Sequence, residues 1–306
     1  MRSYYVKRFL STLITVLLVA TITFFLMRAI PGGPFTREKA IPDEILKALE
    51  EKYHLSDPLF TQYIDYMKGL VTFKLGPSFS KIGYTVNEII RQGFPVSAKI
   101  GGMASLLIVV VGIPVGIISA LKQNKPVDYI VMFMATILVT VPSFVIATLI
   151  IYFFAVKWHI LPTFGETEKW WYIGPVIALS GYSLSFVARL TRSSMLEVLR
   201  QDYVRTARAN GLSEFKVIGK HALKNALIPV ITYIGPMIAA ILTGSFVIEK
   251  IFNLGGIGRA FVEGVNNRDY TMIMGTTVFY AAFYIVMVFI VDVIYSFIDP
   301  RIKLKG

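Results

Sequence analysis

The sequence predicts an all-α integral membrane protein with six transmembrane helices. Hydrophobic residues make up 55% of the 306-residue chain and charged residues only 16%, whereas soluble domains carry about 25% charged residues. Six stretches of 19 to 28 residues contain no Asp, Glu, Lys or Arg, and a helix needs about 20 apolar residues to cross a bilayer core. None of the six alternates apolar and polar residues as a barrel strand does, so helices are predicted.

The predicted spans are distributed along the whole chain, at 9–27, 100–121, 129–156, 170–188, 225–248 and 270–291. The first is longer than the apolar core of a signal peptide, about 7–15 residues, and no small-residue cleavage site follows it, so we interpret it as an uncleaved helix. The third is long enough to tilt or to extend beyond the lipid. In the second, Gly112 and Gly116 have the G-x-x-x-G spacing that is typical of a close-packing face.

The distribution of Lys and Arg predicts the orientation of these spans. The N-terminus, the 2–3 loop, the 4–5 loop and the C-terminus hold 16 of the 31 basic residues but only five of the 19 acids. All four lie on one side of the membrane if there are six spans, and basic loops face the cytoplasm. Both termini are therefore expected inside. The net charge of +12 follows from this arrangement, and no nucleic-acid partner is expected.

Several classes of chemistry are excluded by composition. The chain has no cysteine, so disulfides, Cys-ligated zinc and iron–sulfur clusters are absent. His54, His159 and His221 are far apart in sequence, and we predict no metal site and no catalytic cluster. The glycines at 255–258 follow no strand, and no G-x-x-x-x-G-K-[ST] occurs, so the chain is expected to bind neither ATP nor another cofactor.

Three regions follow from the span pattern. Residues 1–30 are the N-terminal tail and first helix, 31–98 an extracytoplasmic segment, and 99–306 a core with the remaining five helices. In the external segment, helices are expected from Asp43 to Lys52, from Asp57 to about Lys68 and near 86–92. The segment is either a solvated connector or a docking surface for an external partner, and its length and mixed charge favour docking.

The cytoplasmic 4–5 loop, 189–226, is the most informative segment. Residues before Asn210 favour helix, and Asn210-Gly211 is a helix stop because glycine adopts the left-handed conformation at low cost. Ser213 is an N-cap candidate for a second, short helix from Glu214 to about Leu223. Its apolar face includes Phe215, Ile218 and Leu223. Such a face needs a groove in a partner or, alternatively, lies on lipid headgroups.

This loop resembles the EAA loop of permeases from binding-protein-dependent ABC importers. Aligned on Gly211, Ala207 matches the second alanine of the general motif E-A-A-x-x-x-G, and Leu223 matches the leucine of the following I-x-L-P. The departures from the motif are Arg205, Thr206, His221 and Lys224. They are typical of the OppB/DppB branch, whose form resembles R-T-A-R-A-x-G-L…H-A-L-x-N-A-x-x-P, and the chain matches that form over 205–229. The resemblance includes 28–32, 255–258, 268–270 and 299–301.

The resemblance implies a type I ABC importer permease in a bacterial or archaeal plasma membrane. The helix after Gly211 would be a coupling helix seated in one of two cytoplasmic ATPase subunits, which would use the ATP and Mg²⁺. A homologous second permease and an extracytoplasmic substrate-binding protein would complete the complex. The expected ATPase-coupling residues are Ala207, Gly211, Leu212, Ser213, Glu214, Phe215, Lys216, Ile218, His221 and Leu223.

The implied substrate is an oligopeptide or dipeptide, with nickel as the alternative in the same branch. A peptide pathway needs a wide, neutral, polar lining. Candidate lining residues are Tyr182, Ser183, Tyr233, Ser245 and Tyr280, although such side chains also occur at interfaces or inside bundles. A secondary transporter driven by an ion gradient is a further alternative, but it usually shows inverted repeats and midplane ion sites, and neither is evident here.

Overall fold

A computed structural model of the chain describes residues 2–31, 33–35, 47, 50–166 and 168–298. Over these residues it is all-α, apart from one isolated bridge between Pro77 and Thr85, so the predicted fold class is confirmed. Most of the helix expected at 43–52 lies outside the described residues. The chain forms two compact units, Met1–Ser97 with Gly255–Val286 and Ala98–Leu254 with Met287–Lys305.

Most of the described residues are helical. In chain order they are α1 Arg2–Ala29, α2 Leu59–Val71, α3 Val86–Leu107, α4 Ile113–Leu121, α5 Pro126–Thr140, α6 Ser143–Ile150, α7 Ile173–Leu199, α8 Asp202–Ala209, α9 Glu214–Lys216, α10 Leu223–Leu242, α11 Phe246–Ile251, α12 Ile257–Asn266 and α13 Tyr270–Ile298. Two π-helical segments, Ile108–Gly112 and Val217–Ala222, join consecutive helices, and a third, Ile151–Lys157, extends α6 at its end.

Five helical stretches of the described chain are long and apolar enough to cross a membrane, and a bent helix pair is a sixth candidate. The second stretch is Val86–Leu121, so the helix expected near 86–92 is wrong as a separate element: it is the start of the second span. The second span was predicted to begin only at residue 100 because Lys99 is charged. Its ammonium lies 5.1 Å and 5.3 Å from the ring centres of Trp171 and Tyr172, which lets a helix accommodate it.

The third predicted span is not one straight helix. α5 and α6 meet at an angle of 102°, and Val141 between them is extended, with φ −80° and ψ 122°. Pro142 causes the break, because proline disfavours the helical conformation of the residue before it and donates no backbone hydrogen bond.

The bent pair α5–α6 lies along α7 from one end to the other. At one end Asp128 contacts Arg192. Near the middle, a Cβ at Gly181 would lie 3.5 Å from Leu138 and 3.6 Å from Ile146. At the other end, a Cβ at Gly174 would lie 3.3 Å from Ile150.

Small residues allow the helices of the second unit to pack closely. A Cβ at Gly116 would lie 2.5 Å from the carbonyl oxygen of Ala188, and one at Gly112 3.1 Å from Val187. The predicted G-x-x-x-G face is therefore confirmed as a packing face against α7. Close approach of backbones through glycine is a common way for helices to associate in lipid.

Candidate coupling segment

The predicted 4–5 loop began too early, because residues 189–199 belong to α7. The rest of the loop, residues 202–226, which we call the coupling segment, is a helix, a turn and a second helix that continues into the next span. α8 ends at Ala209, and Gly211 has φ +76°, so the predicted stop is confirmed. α9 begins after Ser213, but the Ser213 hydroxyl makes no capping hydrogen bond; its carbonyl accepts one from the Val217 N–H.

The second helix does not end near Leu223, as the sequence suggested. The π-helical segment Val217–Ala222 connects α9 directly to α10. The stretch Glu214–Ile251, which also contains α11, is long and apolar enough to be one membrane span. No proline or left-handed glycine lies between Lys216 and Leu223, since Gly219 is helical. Nothing in the chain therefore interrupts the helix.

The inner side of this segment is buried in two small apolar clusters. Val204, Ala207 and Val217 pack with Val198 and Leu199 at the end of α7. The second cluster contains Ala120, Met195, Ala222 and Ala226, with Ile117, Leu196, Val198, Leu199, Ile218 and Leu223 against it. The segment thus rests on the ends of α4 and α7.

The predicted apolar face of Phe215, Ile218 and Leu223 is wrong as a single face. Ile218 and Leu223 turn inward, whereas the Phe215 side chain is 87% exposed. A π-helical turn closes i→i+5 hydrogen bonds, which shifts the angular positions of later residues relative to a period of 3.6. The buried Val217 was not predicted.

Six consecutive exposed residues at the turn form a surface that we call the coupling surface: Gly211, Leu212, Ser213, Glu214, Phe215 and Lys216. The Arg208 guanidinium donates to both carboxylate oxygens of Glu214, at 2.7 and 3.4 Å. This pair joins α8 to α9 across the turn. Asn225 donates to the Tyr203 hydroxyl at 2.7 Å. His221 is half-buried.

An ion pair between the buried Asp128 and the half-buried Arg192 was not predicted. Asp128, 2% exposed, accepts hydrogen bonds from Arg192 Nε at 2.6 Å and Nη2 at 2.7 Å. The Ser119 hydroxyl and the Asn124 N–H also donate to it, at 2.5 and 3.0 Å. The sequence treated Asp128 and Arg192 only as loop charges, because their 64-residue separation gives no local signal.

The structure brings some of the candidate pathway residues together. Tyr233 lies within electrostatic range of Ser183 and Tyr182, and it packs on Phe186 with ring centres 4.3 Å apart. Ser245 instead caps α11 by accepting from the Ile248 N–H. Tyr280 belongs to the first unit.

The first unit has a cavity of about 420 Å³, lined by Lys81, Tyr84, Ile89, Gln92, Gly93, Gly255, Gly256, Arg259, Ala260 and Glu263. Glu263 contacts Arg259 Nε at 2.6 Å and Lys81 Nζ at 3.1 Å. Burial alone would raise the pKa of Glu263, but the hydrogen bonds and charges of these two cations hold it below its ordinary value.

Family models assign the chain. The model described as the inner membrane component of binding-protein-dependent transport systems matches residues 112–304, and the model of the N-terminal part of that component matches residues 1–98.

This chain belongs to the family of binding-protein-dependent transport inner membrane components.

Relatives within this family cover the whole chain. It is 49% identical to the dipeptide transport system permease protein DppB of Bacillus subtilis, over 99% of each chain. It is 46% identical to the oligopeptide transport system permease protein OppB of Salmonella typhimurium, over 99% of this chain and all of that one.

A solved structure of an inward-facing MetNI methionine ABC transporter gives a TM-score of 0.57 at 16% identity, with 69% of this chain and 96% of that chain covered. This likeness establishes the fold, and the predicted importer-permease fold is confirmed for this inner membrane component.

Proposed function

We propose that this chain is the permease subunit of an ATP-driven peptide importer, and that a cytoplasmic ATPase subunit drives it by binding the coupling surface. The observation that carries the proposal is Phe215, an aromatic side chain 87% exposed on a segment whose opposite side is fully packed. Dipeptide and oligopeptide permeases with 41–49% identity support peptides as the substrate class.

The exposed Phe215 ring would be buried by a partner. Burying a Phe side chain is worth about 1.5–3 kcal/mol, and buried aromatic residues commonly dominate interface energies. Val204, Ala207 and Val217 anchor the segment from below. A partner that binds Phe215 therefore moves α8, α9 and α10 together rather than deforming a loose loop.

The proposed complex contains two ATPase subunits, a homologous second permease and an extracytoplasmic substrate-binding protein. ATP and Mg²⁺ are used by the ATPase subunits, and this chain contributes no catalytic residue or cofactor. The cavity around Lys81, Arg259 and Glu263 lies in the unit that contains most of the proposed external segment, and it offers an irregular charged surface for the binding protein.

The alternative substrates and energy sources are less well supported. The named relatives carry dipeptides and oligopeptides, so nickel is not favoured. Membership of a binding-protein-dependent family disfavours a secondary transporter driven by an ion gradient.

The test is uptake of a radiolabelled dipeptide or tripeptide by the full complex reconstituted in proteoliposomes. Phe215→Asp is expected to reduce ATP-dependent uptake by at least about tenfold, since loss of the buried ring corresponds to more than 1.4 kcal/mol. The chain itself is expected to insert normally, because the Phe215 side chain is so exposed.

Phe164→Asp, at an exposed aromatic position of the connection between α6 and α7 (55% exposed), is the matched control and is expected to leave uptake unchanged. Wild-type uptake that needs no ATP, or equal uptake by Phe215→Asp and wild type, would contradict the proposal.

A further inference from the structure

We propose that Asp128 and Arg192 are positioning residues for energy coupling: they lock the helix ends on which the coupling segment rests, so that movement of that segment reaches the second, third and fourth spans. This inference rests on the proposed function.

Arg192 and Asp128 contact each other in a geometry that fixes their relative orientation. Arg192 forms two parallel hydrogen bonds to the Asp128 carboxylate, at 2.6 and 2.7 Å. Bidentate arginine–carboxylate contacts fix the relative orientation of two groups as well as attracting them. With Ser119 and Asn124 also donating, the carboxylate accepts four hydrogen bonds and has little freedom to turn.

The Asp128 carboxylate connects three helices, α4, α5 and α7. Ser119 lies on α4, Asp128 in the first turn of α5, and Arg192 near the end of α7. Three elements from three successive spans are therefore joined through one carboxylate. The Asn124 N–H fixes the connection between α4 and α5 to the same oxygen as Arg192 Nη2.

The ion pair lies close to the apolar clusters that hold the coupling segment. Ala120, next to Ser119, and Met195, three residues after Arg192, pack against Ala222 and Ala226. Val198 and Leu199 pack against Val204, Ala207 and Val217. Ala120 and Met195, which hold the segment, thus lie within one helical turn of Ser119 and Arg192, which both donate hydrogen bonds to Asp128.

A charged pair is better suited than an apolar contact to fixing the ends of these helices. An apolar contact can slide, whereas removing Arg192 would leave the buried Asp128 carboxylate unpaired, which is strongly unfavourable. α4 and α7 are already in backbone contact at Gly116 and Ala188. The ion pair fixes their rotation and register at the end where force arrives.

The experiment compares transport per ATP hydrolysed for Asp128→Asn, Arg192→Gln and the double variant, each in the assembled complex in proteoliposomes. Each single variant is expected to lower peptide transported per ATP about fivefold or more, the lower range of coupling between linked sites. ATP hydrolysis itself continues because the ATPase lies in other subunits.

The double variant is expected to be no worse than either single one, because the two residues act as a pair. Ser119→Ala removes one of four hydrogen bonds without leaving a charge unpaired, and is expected to give a smaller loss in a complex that still assembles. Lys125→Gln, which removes an exposed charge from the same connection, is the matched control and should behave as wild type.

A structural role alone predicts a different outcome: less assembled complex and a lower melting temperature, but unchanged transport per ATP in the complex that remains. That result, or additive losses in the double variant, would overturn the inference. If the wild-type complex transports no peptide with ATP, the proposed function fails instead, so the two failures are distinguishable.

Discussion

Gly211 and Gly219 lie eight residues apart in the coupling segment and differ in their backbone conformation. Gly211 has φ +76°, and Gly219 is helical, while a Cβ at either position would meet nothing within 4 Å. Any difference between alanine substitutions at the two positions therefore reports backbone conformation and not steric contact.

Gly211→Ala is expected to destabilise the chain by about 1–2 kcal/mol, the cost of the left-handed conformation for a residue with a Cβ. Gly219→Ala is expected to be neutral or stabilising by up to about 1 kcal/mol, because alanine favours helix. Thermal melting of the purified chain in detergent measures both. Equal effects would show that the turn at Gly211 is not left-handed.

Asp269 is a buried carboxylate that holds a loop segment in place. It is fully buried and accepts hydrogen bonds from Ser78 and Ser80 and from the N–H of Met272. Burial alone would raise the pKa of Asp269, but these hydrogen bonds hold it below its ordinary value. The residue thus fixes the 78–80 segment to the start of α13.

The lowered pKa of Asp269 predicts a pH dependence. A carboxylate that binds its proton more weakly in the folded state stabilises that state fully above its unfolded pKa of about 4, and the contribution is lost as the pH falls through the lower folded pKa. At pH 7, Asp269→Asn is expected to cost about 1.5–3 kcal/mol, the worth of hydrogen bonds to a charged group.

Melting temperatures between pH 7 and pH 3 provide the measurement. The difference between wild type and Asp269→Asn should shrink as the pH falls below 4. A constant difference over that range would show that the charge of Asp269 contributes nothing.

At the scale of elements, α3 and α10 approach each other closely at one glycine but not at its neighbour. A Cβ at Gly101 would lie 2.5 Å from the Ile241 carbonyl oxygen and 2.9 Å from Leu242 Cα, whereas one at Gly102 would meet only a Leu242 methyl group at 4.0 Å. The two positions are therefore a matched pair on one helix.

Gly101→Ala is expected to destabilise by about 1–3 kcal/mol, since backbone atoms must shift to relieve the overlap. Gly102→Ala should change stability by less than about 1 kcal/mol, with the helical preference of alanine in its favour. Thermostability assayed by size-exclusion of heated samples separates them. Equal tolerance would mean that the two helices are farther apart than described.

The sequence predicted elements well where the signal is local. Apolar length located the spans, and Gly211 located the turn. It failed where geometry depends on non-local or non-standard features. The π-helical turn at Val217–Ala222 changed which side chains face inward, and Pro142 divided a span that apolar length alone presented as continuous. The pairing of Asp128 with Arg192 depends on tertiary structure and has no sequence signature.

At the scale of the whole molecule, the absence of cysteine allows a clean test of sidedness. A single cysteine introduced at Lys216 is expected to react with a membrane-impermeant maleimide only after the membrane is permeabilised. One introduced at Ile82, 88% exposed in the proposed external segment, is expected to react in intact cells, because basic loops are retained in the cytoplasm.

The cysteine-free parent chain provides the background, which should be zero. Reaction at position 216 in intact cells, or protection at position 82, would reverse the proposed orientation. It would also remove the coupling surface from the compartment in which ATP is available.

The contacts of the bent pair α5–α6 with α7 indicate whether the pair crosses the membrane or returns to the side on which it began. A re-entrant pair returns to the side it started from, whereas a broken span ends on the opposite side. Asp128 contacts α7 near one end, at Arg192, and Ile150 lies beside Gly174 at the other, and the 27-residue helix is about 40 Å long. The pair therefore travels as far as α7 does and counts as one crossing. With the five other candidate spans of the described chain, we expect six crossings, an even number, so the start of α1 and the end of α13 are expected on the same side of the membrane.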